Sequence, residues 1–347
     1  MRWISVISIA WLTLLASCSD NTTQEQPNNM PPAPAPQPVT VTIPDFNADS
    51  AFQFVADQVN FGPRVPGTPE HDACRQYLVD QLGKWVGPEN IIQQKGRGRL
   101  FNGKVTDFTN IIAEVNPAAK QRILLMAHWD TRLYADHDSD ENRRKEPILG
   151  ANDGGSGVAV LLEIARLFSQ QPLQNLGVDI ILFDAEDQGK PDNMGYVATQ
   201  EQSMKSWCLG SQHWSKNRHR TDAAYRYGIL LDMVGAAEAT FPKEGYSRQF
   251  APRLTDRIWR KAGQLGYGQY FIQQNGIPIT DDHYFVNTIA NIPTVDIIHY
   301  DPNTGRFDES WHTHDDDLSV IDPQVMQAVG EVVLHIVFEE DVKLTKS

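Results

Sequence analysis

Cysteine is scarce in this chain of 347 residues: there are three, Cys18, Cys74 and Cys208. None stands at finger spacing from another, so a compact zinc-finger scaffold is excluded and the cysteines are not expected to hold a metal. A single bridge between Cys74 and Cys208 remains open, because connectivity does not follow from spacing. Basic charge is also short. Lys and Arg number 30 against 44 Asp and Glu, a formal net charge of −14. That argues against a nucleic-acid partner, since phosphate contact needs clustered cations. The acidic excess is scattered along the chain and reads as solubility. Long apolar runs are missing too. Ile4 to Leu15 is apolar but too short to span a bilayer. No internal repeat is visible. The hydrophobic fraction, 41%, is ordinary and suffices for a large core.

What is present is a set of apolar runs that end in acids or histidine. Val178 to Phe183 has the length of a buried strand and exits into Asp184-Ala185-Glu186-Asp187. Ile123 to Ala127 exits into His128-Trp129-Asp130, and Gly228 to Leu231 into Asp232-Met233. Ile292 to Ile298 is followed by Trp311-His312-Thr313-His314. Asn152-Asp153-Gly154 precedes a helical pattern from Gly157 to Phe168. Carboxylates at the ends of apolar strands are costly unless balanced, and a metal ion balances them cheaply.

Helical spacing is also expected over 51–60, 69–85, 252–265 and 325–338, with the end of a helix over 211–216. Ile91 to Gln93 and Asn110 to Val115 read as strands, and 133–147 as a polar surface loop. The short Ile111–Ile123 connection suggests that some strands pair antiparallel. Strands alternating with helices imply a three-layer α/β/α sandwich with a central mixed, mostly parallel sheet.

The first residues read as an address. Arg2, the short apolar run and Leu15-Ala16-Ser17-Cys18 resemble a bacterial lipobox, which makes residues 1–17 a lipoprotein signal peptide and Cys18 the lipidated residue. Residues 18–44, with Pro31, Pro32, Pro34, Pro36 and Pro38, then form a Pro-rich spacer before a catalytic domain over 45–347. The expected location is the periplasm or cell envelope, with lipid as the only membrane attachment.

Singly, each candidate ligand has an ordinary structural explanation. Asp153 could cap a helix, His312 could be a bonded loop histidine, and Asp232 could simply end a strand. All of them at the exits of one sheet point instead to a shared metal site. Asp153, Asp187 and His312 are the first candidates, and His128 and Asp232 the second. Asp315-Asp316-Asp317 reads as a solvated acidic turn and His314 as structural.

His128-Trp129-Asp130, Asn152-Asp153-Gly154, Glu186-Asp187, Leu231-Asp232-Met233 and Trp311-His312-Thr313 occur in the order found in zinc exopeptidases of the M28 family, and the chain resembles that family over residues 50–340. Three features resemble its glutaminyl-cyclase branch: Ala239-Thr240-Phe241-Pro242, Thr280-Asp281-Asp282-His283, and Trp311 before His312. The resemblance implies a zinc enzyme that cyclises the N-terminal glutamine of peptides or proteins to pyroglutamate and releases ammonia. It implies one Zn2+ per chain on Asp153, Asp187 and His312. Glu186 would be the proton shuttle, held by Asp232 and Asp281. Trp311, Phe307 and Thr280 would bind substrate, with the Phe241-Pro242 turn completing a wall. His128 and Asp130 would support the site or hold a second metal. Three departures from the animal cyclases stand out: Glu-Asp replaces Glu-Glu at the strand exit, Ala127 replaces a cysteine before His128, and the aperiodic, insertion-like loop from Lys190 to Gln202 has no clear animal counterpart. The alternatives are a two-zinc aminopeptidase using the same residues and an inactive peptide-binding lipoprotein.

Overall fold

The computed structural model describes residues 42–191 and 204–345, which belong to one compact unit, Thr40–Ser347. The expected signal segment, Cys18 and nearly all of the spacer lie outside the described residues. So does most of the loop from Lys190 to Gln202.

Two helices open the unit. In α1 (Ala48–Val59) the Asn47 side chain accepts from the amide of Ser50. In α2 (Pro69–Val86) Thr68 accepts from His71, Pro69 fills the first turn, and Gly87 at φ 90° ends the helix. Six strands follow: β1 (Ile91–Arg99), β2 (Val105–Val115), β3 (Gln121–His128), β4 (Gly177–Phe183), β5 (Ala224–Asp232) and β6 (Thr294–Ile298). Their order in the sheet is β1-β2-β4-β3-β5-β6. The run β4-β3-β5-β6 is parallel, and β1 and β2 add an antiparallel edge.

The antiparallel pairing therefore exists, but not where the short Ile111–Ile123 connection suggested it. β2 pairs with β4, and β4 separates it from β3. β4 is buried along its whole length and takes a neighbour on each side. The edge hairpin is also longer than the sequence indicated, because Gln94 to Arg99 continue β1 with polar residues and glycine.

Side chains of β3 and β4 alternate strictly between two cores. Ile123, Leu125, Ala127, Val178, Ile180 and Leu182 face the larger one, shared with α1, α2, α3 (Gly155–Gln170), the helix Pro252–Gln264 and the terminal helix Pro323–Thr345. Leu124, Met126, Ile181 and Phe183 face the smaller one with Trp214 of α4 (Leu209–Lys216) and with Val286 and Ile292. This is the expected three-layer sandwich. Each fully buried aliphatic side chain contributes about 1.5–3 kcal/mol, so both cores fix the strand ends firmly. No described helix is long and apolar enough to cross a membrane.

Because β3 to β6 are parallel, their carboxyl ends lie on one edge of the sheet. The chain leaves β3 for β4 on one side and later returns to β5 on the other. Such a reversal opens a crevice at the strand ends.

Candidate active site

Several segments meet in that crevice. At the exit of β3, Asp130 turns inward and its carboxylate accepts from the amides of Glu186 (2.9 Å) and Asp187 (3.2 Å) and from Gln188 Nε2 (3.0 Å). It thus fixes the backbone that carries two acids of the β4 exit. Ala185, just before them, stands at φ 56°, where an L residue is strained. That single left-handed residue turns the chain out of the strand direction. Asp153 comes from the loop before α3. Gly157 explains how closely α3 can start here: a Cβ on it would meet the carbonyl oxygen of Leu231 at 2.2 Å.

Asp153, Asp187 and His312 are buried and bring ligand atoms within 4.8 Å of one another. His312 Nε2 lies 3.1 Å from Asp187 Oδ1 and 3.7 Å from Asp153 Oδ2. Both oxygens of Asp187 and Oδ2 of Asp153 are buried without a hydrogen-bond partner. Bare carboxylate oxygens beside an imidazole, in a water-poor place, fit a divalent metal such as zinc, whose ligands are nitrogen and oxygen donors.

The second candidate set is arranged differently. His128 Nε2 lies 3.0 Å from Asp153 Oδ1 and 3.1 Å from Asp232 Oδ1. Burial opposes charge on this ring, but Asp130, Asp153 and Asp232 outweigh it and hold its pKa well above the ordinary histidine value. Asp232 therefore gives an oxygen to His128, and among the described residues no hydrogen bond joins it to Glu186.

Glu186 lies beside the ligand set. Burial raises its pKa well above the usual carboxylate value, and Asp281, Asp187 and Asp282 add to the rise. Asp281 is buried and its pKa is pushed up to about 6 by desolvation and by the nearby Asp232 charge. Behind it runs a series of buried groups. Desolvation raises the pKa of Asp296 well above the usual carboxylate value and the Asp281 charge adds to the rise, His283 Nδ1 lies 3.4 Å from Asp296, and His283 Nε2 meets Glu244 Oε2 at 3.0 Å.

Asp153, Glu186, Asp187, Asp232, Asp281 and His312 line a cavity of about 330 Å³ together with Trp311, Phe307 and Thr280. Trp311 stacks on His312, with ring centroids 3.6 Å apart and 21° between planes, and Phe307 tilts against Trp311 at 4.6 Å. Phe241 is not part of this wall. It is fully buried in the larger core, 5.2 Å from the Phe271 ring, so the expected Phe241-Pro242 closure is replaced by other groups. One is Trp207, which lines the cavity with its ring parallel to His312 and the Arg132 guanidinium 4.6 Å above its centre.

Several supporting residues escaped the sequence reading. Arg132 grips Asp136 with two bonds of 3.0 Å and donates to the carbonyls of Asp187 (2.9 Å) and Gly189 (3.0 Å). Asp136 Oδ1 in turn lies 3.2 Å from His312 Nδ1. Both sit in or beside the stretch taken as a polar surface loop, yet Ala135, Asp136 and Asp138 are buried. Asp316 corrects the reading of a solvated acidic turn. It is buried, accepts from the amides of Asn152 (2.7 Å) and Asp153 (3.0 Å), and its pKa is raised to about 8 by desolvation and by Asp153. His314 is braced by Asp138, as a structural histidine would be. Cys74 and Cys208 are both free and buried.

The mixed sheet and the carboxylates and histidines gathered at its strand exits define an α/β protein of the zinc-exopeptidase type. The chain belongs to peptidase family M28, whose family model matches residues 110–337. It is 29% identical over 287 residues to the glutaminyl-peptide cyclotransferase of Drosophila melanogaster, spanning 75% of this chain and 72% of the relative. The glutaminyl cyclase of Bacteroides thetaiotaomicron, solved with N-acetylhistamine bound, is 47% identical with a TM-score of 0.81, covering 86% of this chain and 99% of that one. A structure from the same organism described as a leucine aminopeptidase precursor is 46% identical with a TM-score of 0.79 over 86% of this chain and 99% of that one.

Proposed function

We propose that the chain is a zinc-dependent glutaminyl cyclase that converts the N-terminal glutamine of peptides and proteins to pyroglutamate with release of ammonia. One observation carries this reading: Trp311 stacks on His312 and Phe307 tilts against Trp311, walling the cavity beside the Asp153–Asp187–His312 set, in a chain 47% identical to a solved bacterial glutaminyl cyclase. The reading takes one zinc per chain, held by Asp153, Asp187 and His312. A bound zinc supplies Lewis acidity to the side-chain amide of the substrate glutamine.

The chain's own residues do the rest. Trp311 and Phe307 hold the apolar stem of the glutamine and leave little room for water beside it. Glu186 takes a proton from the α-amine as it attacks the γ-carbonyl, then returns it to the departing ammonia. The burial that raises its pKa suits it to both steps. Ring closure is intramolecular, so little entropy is lost in the step. The amine must be neutral to attack, and a free α-amine titrates at about 7.7–8.0.

The leucine aminopeptidase description of one neighbour favours a second reading, in which water attacks the first peptide bond. One mass spectrum separates the two. A glutamine-starting peptide is expected to lose the mass of a single ammonia and keep its length, and a leucine-starting peptide to stay unchanged. Release of free leucine at a comparable rate would overturn the cyclase reading.

The proposed location is the cell envelope, through lipid on Cys18. Cys18→Ala is expected to move the protein from the membrane to the soluble fraction with its specific activity intact. A variant that still sediments with membranes would refute the lipid anchor.

A further inference from the structure

Cys208 is a buried group that the chemistry above leaves unused, and it is tied to Glu186 twice. Its thiol donates to Glu186 Oε1 at 3.0 Å, and its amide donates to the Glu186 carbonyl at 2.9 Å. The side chain is fully buried, and burial raises the thiol pKa well above its usual value, so it remains a donor. The backbone at 208 is left-handed, φ 54° and ψ 40°, at the start of α4. Glycine or asparagine would adopt that conformation more cheaply. A strained backbone is thus retained with a thiol on it, pointing at one carboxylate oxygen.

The terminal torsion of a glutamate is broad, so an untethered carboxylate can exchange its two oxygens. Holding Oε1 stops that exchange. Among the described residues no hydrogen bond reaches Oε2, which leaves it as the oxygen for the substrate's proton. Asp281 completes the group, with one ligand-type atom from each of Glu186, Cys208 and Asp281 within 4.8 Å of the others.

We propose that Cys208 is a positioning residue: its thiol pins Oε1 of Glu186 so that Oε2 is the oxygen presented to the substrate. The proposal rests on Glu186 being the proton carrier, a role that the cyclase and aminopeptidase readings share. It is tested with Cys208→Ala, Cys208→Ser and Cys208→Gly, measured by steady-state kinetics on a glutamine-starting peptide.

Cys208→Ala is expected to lower kcat roughly tenfold while KM stays within about twofold, the signature of a group that acts on the reacting geometry rather than on binding. Cys208→Ser restores a donor and is expected to recover most of the lost kcat. Cys208→Gly relieves the left-handed backbone, so folding is not threatened, and it should lose kcat as the alanine variant does. A thiol that merely fills space predicts the reverse order, because a buried hydroxyl is worse than a methyl in an apolar filler position. Alanine or glycine variants with kcat close to wild type, or a serine variant no better than alanine, would overturn the proposal. If the wild-type chain shortens its peptide instead of cyclising it, the substrate reading falls, and the same variants compared on leucine release still decide the role of Cys208.

Discussion

Glu186→Gln is expected to cut turnover about 10²–10⁴-fold, the usual span for a positioned acid–base group, and to leave bound zinc at the wild-type level. The backbone at 186 is held by Asp130 and Cys208 rather than by the side chain's charge, so the amide should sit where the carboxylate sat. What changes is the ability to accept a proton. Desolvation raises the pKa of Glu186 first, and the charges of Asp281, Asp187 and Asp282 raise it further. The group therefore exchanges its proton nearer neutrality than an exposed glutamate, and glutamine has no such equilibrium. Ammonia release and elemental analysis on the same preparation read both halves of the result. Near-normal turnover would assign the proton transfer to another group, with Asp281 the next candidate.

Wild-type protein purified without chelator should carry one zinc per chain, and Asp187→Ala should carry none. Both Asp187 oxygens are buried without a hydrogen-bond partner, and the charged or chargeable groups beside Oδ1 are His312 Nε2 at 3.1 Å and Arg132 Nη1 at 3.5 Å. A buried carboxylate in that state costs several kcal/mol, about the effective penalty per desolvated ion, and a cation offsets it. Metal bound only by the folded chain also stabilises it by linkage. Chelation should therefore lower the Tm of the wild-type protein and leave that of Asp187→Ala unchanged. Two tightly bound zincs in the wild type would favour the aminopeptidase reading. Retention of zinc by Asp187→Ala with its loss from Glu186→Gln would mean that the two neighbouring acids have exchanged roles.

The residues that gather in the crevice were legible because of where parallel strands put them. A strand buried on both faces reads as an unbroken apolar run, so its end is visible in the sequence, and the acid or histidine that follows is easy to pick out. His128, Asp187 and Asp232 were found in this way, and Asp153 by the helix that follows it. The groups that orient them were hidden for the same reason reversed. Arg132, Asp136 and Asp316 belong to irregular polar segments, and polarity there predicts exposure. Their burial comes from mutual pairing: Arg132 with Asp136, and Asp316 with two backbone amides. No periodicity encodes such contacts. Strand order was hidden as well, since a five-residue link between β2 and β3 looks like a hairpin although β4 lies between them. Phe241 misled in the opposite direction. Its place in a recognisable motif suggested the cavity, but the core around Phe271 and Trp259 took it.

The order of the proposed ligands along the chain has a consequence for biosynthesis. They are residues 153, 187 and 312, and the helix that closes the larger core runs from Pro323 to Thr345. A nascent chain emerges from its amino end, so the first two carboxylates appear long before their histidine. A ribosome must translate past residue 312 before the proposed centre can exist at all. Loading with metal would thereby wait for the histidine, and a product terminated before it would lack one ligand.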